Sequence, residues 1–333
     1  MFLSLYKTNK PYLILLIPLT GILLWLNGFI NCNNQFVNDI GFQMPLYKFI
    51  SPYINYNCYI SKIIALVIAI TQSFYLSKLN KDFIFIKQRT FLHALIFLMI
   101  LSSSYFTQYA IPALIANFFV LFSIDWLYSS YKKDRVNIEL FNAGFMMAVA
   151  GLFYLEALVL FVALLISYII LHTTKLKEVL VMITGFITPI FILLGILFLN
   201  DTLFLYKDEL VKHITEAKYN FDMNMSSYIF YGYLLFIFLI SVFKIMSIYS
   251  TKKISSRSFM SSFFVFFFVS LLSYIIFPFI GIEMLVIAAV PISYIITDGY
   301  VNSRNSFISE LNFALLIITL LFAQLGFNFE QLF

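Results

Sequence analysis

The chain has 333 residues, 62% of them hydrophobic and 11% charged, with a formal net charge of +5. Soluble domains carry about 25% charged residues, so a chain this apolar cannot clothe a water-facing surface. The small positive excess gives no argument for nucleic acid, which is not expected as a partner.

Apolar segments recur from end to end, and runs such as "VLVMITGFITPIFILLGILFL" are long and continuous. Strands of a membrane barrel would alternate polar and apolar over about ten residues. Helices of about 20 residues satisfy the backbone inside lipid. The expected class is therefore all-α: one polytopic transmembrane bundle of about eleven helices, a single domain over 1–333. In chain order the helices are expected at 12–30, 59–77, 91–107, 110–128, 140–153, 155–171, 178–199, 227–248, 259–279, 283–297 and 307–326. The first, Tyr12–Ile30, is long for a signal segment and no A-x-A site follows it, so it reads as a span. The shortest, "LFNAGFMMAVAGLF" at 140–153, reads as a crossing or a re-entrant half-helix.

Basic residues sort the loops. With the N-terminus in the cytoplasm, the cytoplasmic side holds 16 of the 21 lysines and arginines. The outer side holds Lys48, Lys62, Lys207, Lys212 and Lys218. This asymmetry follows the positive-inside rule and predicts a multi-pass protein of a bacterial inner membrane. Two sizeable outer loops result, 31–58 and 200–226. In the first, Met44, Tyr47, Ile50 and Ile54 fall at helical spacing; in the second, Leu203, Tyr206, Leu210, Ile214, Ala217 and Phe221 do. Both predict amphipathic helices lying on the outer membrane surface.

His93, His172 and His213 are scattered, and the two cysteines do not form a C-x-x-C, so no metal site is expected. No nucleotide-binding or nucleophile-elbow motif is present. No cofactor is expected, with a divalent cation left open. Cys32 and Cys58 bracket the first outer loop and are candidates for a disulfide, or are two free thiols at the membrane edge. Asp39, Glu156 and Glu283 are acids near span boundaries on the outer side. Each reads either as a hydrated turn residue or as part of a shared polar cleft, where a carboxylate takes a proton from a hydroxyl. Asp125 is expected to pair with a nearby cation, and Gln72, Asn117 and Asn142 to tie helices together. Lys207, Lys212 and His213 share the second outer helix and are candidates to hold a lipid phosphate, or form a solvated face.

Two stretches carry a resemblance. Pro112 to Phe118, a basic loop, and Phe141 to Tyr154 resemble the P-A-L-x-A-N-x-F and F-x-A-G-F-L-x-G-L-A-S-L-F-Y segments of a family of polytopic inner-membrane proteins from Bacteroidota. Ala143, Gly144, Ala148, Ala150 and Gly151, followed by "Tyr154-Leu155-Glu156-Ala157-Leu158", also resemble a stretch of the GT-C integral-membrane glycosyltransferases. Their T-R-P-E-A-L turn here lacks its Arg and Pro. That resemblance implies a large first outer loop with an acidic catalytic residue, a place that Asp39 fills, though as one acid rather than a pair.

The expected function is thus a GT-C-like glycosyltransferase of the cell envelope, using a polyprenyl-phosphate-linked sugar at the outer face. Asp39 is its expected general base, with Glu156 and Glu283 as companion catalytic acids. Lys62, Lys207 and Lys212 are expected to bind the donor phosphate. The alternatives are a transporter or flippase of lipid-linked precursors, and a non-catalytic component of an envelope assembly. Membrane lipids are the other expected partners.

Overall fold

The computed structural model describes residues 6, 12–32, 42–172, 175–217, 224–303 and 305–329. Among them the chain forms thirteen α-helices, three short 3-10 turns and no strand. Eight helices are long and apolar enough to cross a membrane. They are α1 (Leu13–Ile30), α3 (Cys58–Phe83), α5 (Pro112–Ser129), α8 (Leu176–Leu199), α10 (Met225–Ile248), α11 (Ile254–Ile276), α12 (Met284–Val301) and α13 (Ser306–Phe329). Three apolar helices are shorter: α4 (Leu92–Ser102), α6 (Asn137–Phe153) and α7 (Leu160–Leu171). The other two, α2 (Pro45–Ile54) and α9 (Leu203–Glu216), are amphipathic and lie in the two expected outer loops. By length and composition this is a multi-pass membrane protein.

Several boundaries differ from the sequence reading: α3 runs to Phe83 rather than 77, α11 begins at Ile254 rather than 259, and two apolar segments are interrupted. The expected helix 91–107 stops at Ser102, and the chain continues as a 3-10 turn at Phe106–Gln108. Hydroxyls compete there with the helical ladder. Ser103 Oγ donates to the Ile100 carbonyl at 2.6 Å, and Thr107 Oγ1 to the carbonyls of Leu101 and Ser104. The expected helix 155–171 opens as a 3-10 turn, Leu155–Val159, before α7 begins.

The centre of the bundle is α4, buried at every position, together with α12, which packs on α4, α5, α10 and α11. At the end rich in lysine and arginine an aromatic cluster closes the core. The Phe85 ring meets Tyr128, Phe259, Phe263 and Tyr294 edge-on, with centroids 4.9 to 5.7 Å apart. Two acids near that end are paired: Asp125 with Lys78 at 3.2 Å and with the Tyr75 hydroxyl, and buried Asp298 with Lys252. Between α3 and α5, Gln72 donates to the Leu114 carbonyl and Asn117 donates to Gln72, as amides do when they hold helices together in lipid. Asn142 is only partly buried.

The tightest crossing is α6 on α8. A Cβ on Gly144 would stand 2.2 Å from the Met182 carbonyl oxygen, and one on Gly185 would stand 2.2 Å from that of Phe141. Two glycines on facing helices let the backbones touch, which is how helices gain van der Waals contact in lipid. This crossing fixes the direction in which α6 delivers the turn at Tyr154–Glu156. At the opposite end from the aromatic cluster, Cys32 and Cys58 are disulfide-bonded, with Cα atoms 5.9 Å apart. The bond joins the exit of α1 to the first residue of α3.

Gly144→Ala is expected to cost about 1–3 kcal/mol through overpacking, read as a lower thermal midpoint in detergent. Gly195→Ala, with nothing within 4 Å of the added carbon, leaves the midpoint unchanged or higher. Denatured but unreduced protein should take up no maleimide–polyethylene glycol, whereas reduction should expose both cysteines to it. Labelling without reduction would contradict the bond.

Candidate functional site

At the disulfide end the chain brings together groups that are far apart in sequence. Tyr154 leaves α6 in an extended conformation, so the helix cannot continue and the 3-10 turn places Glu156 inward, 6% exposed. The segment 277–283 sits between α11 and α12 and sets partly buried Glu283 one residue ahead of α12. The amphipathic α9 then lays His213 across them. His213 Nε2 lies 3.4 Å from Glu156 Oε1. The imidazole stacks on Phe42 at 4.8 Å and meets Phe279 at 6.0 Å, so its plane is held.

Glu156, His213 and Glu283 line one chamber of about 150 Å³, walled by Phe42, Met44, Phe153, Tyr154 and Phe279. It adjoins a wider vestibule of about 960 Å³, which shares Phe42, His213, Phe279 and Gly281 and adds Lys48, Glu209, Lys212 and Glu216. The two amphipathic helices form the rim. Tyr47 of α2 is fully buried and donates to the Ala110 carbonyl at 2.8 Å, while accepting from Asn55. Tyr206 of α9 reaches Met44 Sδ at 3.0 Å, and Lys48 stands 4.0 Å from Glu209. The apolar stripe of α2 therefore packs on protein, and Phe49 and Tyr53 are its exposed large apolar residues. This differs from a helix lying apolar face down: the Tyr47 hydroxyl needs a buried partner, and the 109–112 segment supplies one.

The electrostatics of the chamber are asymmetric. Burial, and next the neighbouring Glu156 carboxylate, push Glu283 up from 4.5 to about 7. Burial and the two glutamates likewise push the Tyr154 phenol well up, so that hydroxyl stays protonated. Glu156 has His213 beside it as a partner. One carboxyl that holds its proton near neutrality beside another paired with imidazole is an acid–base arrangement.

The expected site residues are distributed as follows. Glu156 and Glu283 meet in the chamber; Asp39 lies outside the described residues. Lys212 is exposed and lines the vestibule, and Lys207 is exposed on the same helix. Lys62 stands elsewhere. It is fully buried, donates to the carbonyls of Gly28 and Asn31 at the end of α1, and lies 4.4 and 4.6 Å from the ring centres of Tyr105 and Tyr109. A cation there neutralises the negative end of α1. Of the other histidines, His93 is fully buried on Tyr294, and His172 shares a hydrogen bond with Ser130. The partnership of His213 with Glu156 escaped the sequence reading. Its signal was present: Tyr206, Leu210 and His213 stand at i, i+4 and i+7, one face of a helix.

Between its ordinary 4.5 and about 7, Glu283 holds a proton in the folded protein that the unfolded chain releases. Stability should therefore fall as pH rises through that window. The thermal midpoint of the wild type should decline across it, and Glu283→Gln should flatten the decline. An unchanged slope in the variant would remove Glu283 as its source.

Residues 41–332 match the family of unknown function DUF6427. No curated protein and no solved structure matches the chain. The matched span takes in every helix that builds the chamber and its rim, and the chain belongs to the DUF6427 family.

Proposed function

We propose that the chamber is the acid–base site of a GT-C-like glycosyltransferase. It works at the outer face of a bacterial inner membrane, with the N-terminus in the cytoplasm and eleven apolar helices crossing or entering the bilayer. The observation that carries this reading is the meeting of Glu156, His213 and Glu283 in one chamber, at the end of the bundle poor in basic residues. The donor is a polyprenyl-phosphate-linked sugar. Glu156, oriented by His213, takes the proton of an acceptor hydroxyl as its oxygen bonds to the sugar's anomeric carbon. The bond from that carbon to the phosphate oxygen breaks, and the lipid phosphate leaves with the electron pair. Lys48 and Lys212, at the vestibule, meet the departing charge, and Lys207 lies on the same helix. Glu283 serves as the protonated partner that donates a hydrogen bond in the chamber. Asp39, the general base expected from the sequence, is in the same outer loop as α2 and stands beside Glu156 as the other candidate for that role.

A lipid-linked donor also suits the far side of the same turn. An apolar notch of about 240 Å³ opens between α10, α11 and α12. Ile282 and Met284 line it, while Glu283 between them lines the acidic chamber. A chain lying in the notch would bring its phosphate to the acids.

Deleting the gene should make membranes accumulate a lipid-linked sugar and lose the matching surface glycan. Wild-type protein should reverse both changes. Glu156→Gln, expressed to the same level, should fail to, because a general base contributes about 10²–10⁴-fold. Full restoration by both Glu156→Gln and Glu283→Gln would overturn the proposal.

A further inference from the structure

A second groove lies at the other end of the bundle and has no part in the proposed chemistry. It is about 610 Å³ in volume, between α1, α3 and the segment entering α4. Phe74, Ser77, Lys78 and Lys81 line it from one face of α3 at i, i+3, i+4 and i+7. Its lower wall is apolar, with Ile14 of α1 half exposed beside Phe74. Its upper wall is cationic, with Lys78, Lys81 and Arg89, against the single carboxylate of Asp82. Lys78 is held by Asp125 at 3.2 Å and lies over the Tyr75 ring. Lys81 and Arg89 are exposed, and among the described residues neither has an ion-pair partner.

Hydrogen bonds tie down the backbone behind the groove. Thr90 donates to the Tyr6 carbonyl, and the Asn80 side chain accepts from the Ile86 amide at 3.0 Å. The cations thus stand on a backbone tied by these hydrogen bonds. A groove that is apolar toward the middle of the spans and cationic toward their end matches one molecule in both parts. Acyl chains pack on the apolar wall, and a phosphate diester sits between the cations.

We propose that this groove binds an anionic phospholipid of the surrounding leaflet, with its phosphate between Lys81 and Arg89 and one acyl chain along Ile14 and Phe74. Lys78 is the helper cation, already shared with Asp125. Asp82 weakens the site by like-charge repulsion with the phosphate. The site does not depend on the enzymatic reading of the other end.

The test is native mass spectrometry of the full chain in detergent, titrated with phosphatidylglycerol or with phosphatidylcholine of the same acyl chains. The wild type should retain phosphatidylglycerol preferentially. Each cation near an anionic headgroup is worth about fivefold, so Lys81→Gln/Arg89→Gln should weaken retention about 25-fold. Asp82→Asn should strengthen it. The charge-matched control Lys132→Gln/Lys253→Gln, at the same end but outside the groove, should bind as the wild type does. Equal retention of the two lipids, or equal loss in the control, would overturn the proposal. Displacement by inorganic phosphate at the lipid's own concentration would also overturn it, since that marks a site for a free anion. All substituted positions are exposed, and elution volume confirms that each variant is folded.

Discussion

No water competes for a peptide N–H inside a bilayer, and the rest of this structure follows from that. The backbone must satisfy itself, so the apolar stretches are helices. Polar side chains inside the bundle must find partners, so Gln72 and Asn117 bond to one another and to a carbonyl. Acids near the spans must be paired, hydrated or protonated, so Asp125 and Asp298 each hold a lysine. Helices that gain nothing from hiding from water gain from touching closely, which is why α6 and α8 meet glycine to backbone.

The same constraint locates the buried acids. Glu156 and Glu283 could not share a chamber at mid-membrane without a large desolvation cost. They meet at the end of the bundle, under a roof made by two amphipathic helices, where the chamber opens into a wider vestibule. Partial burial still leaves a mark, since it raises Glu283 to about 7 while Glu156 has an imidazole beside it. The disulfide and the buried Lys62 sit beside this region and brace it. One ties α1 to α3, and the other caps α1 from within α3. Lys62 shows how position changes a residue's meaning: a lysine predicted at a phosphate instead closes a helix end against two tyrosine rings.

The two ends of the molecule use opposite devices. The disulfide end has few cations and carries acids in an enclosed space. The other end has many cations, an aromatic seal around Phe85, and a groove where Lys81 and Arg89 are unpaired among the described residues. The fold gives each end a cavity whose charge matches the side chains gathered there.

The sequence by itself determined the class, the helices and the division of charge between loops. These depend on local composition: apolar length makes a span, and period makes an amphipathic face. The run "MPLYKFISPYI" announced α2, and the stripe from Leu203 announced α9. Helix ends were less legible, because hydroxyls at Ser103 and Thr107 override an apolar pattern. Glu156 and Glu283 were readable singly as acids at span edges. Only the tertiary structure decided that they share a chamber, that His213 joins them, and that Lys62 does not. Such meetings are set by which helices cross and how closely. They depend on contacts such as Gly144 against Met182, whose partners stand 38 residues apart and leave no periodic trace in the chain.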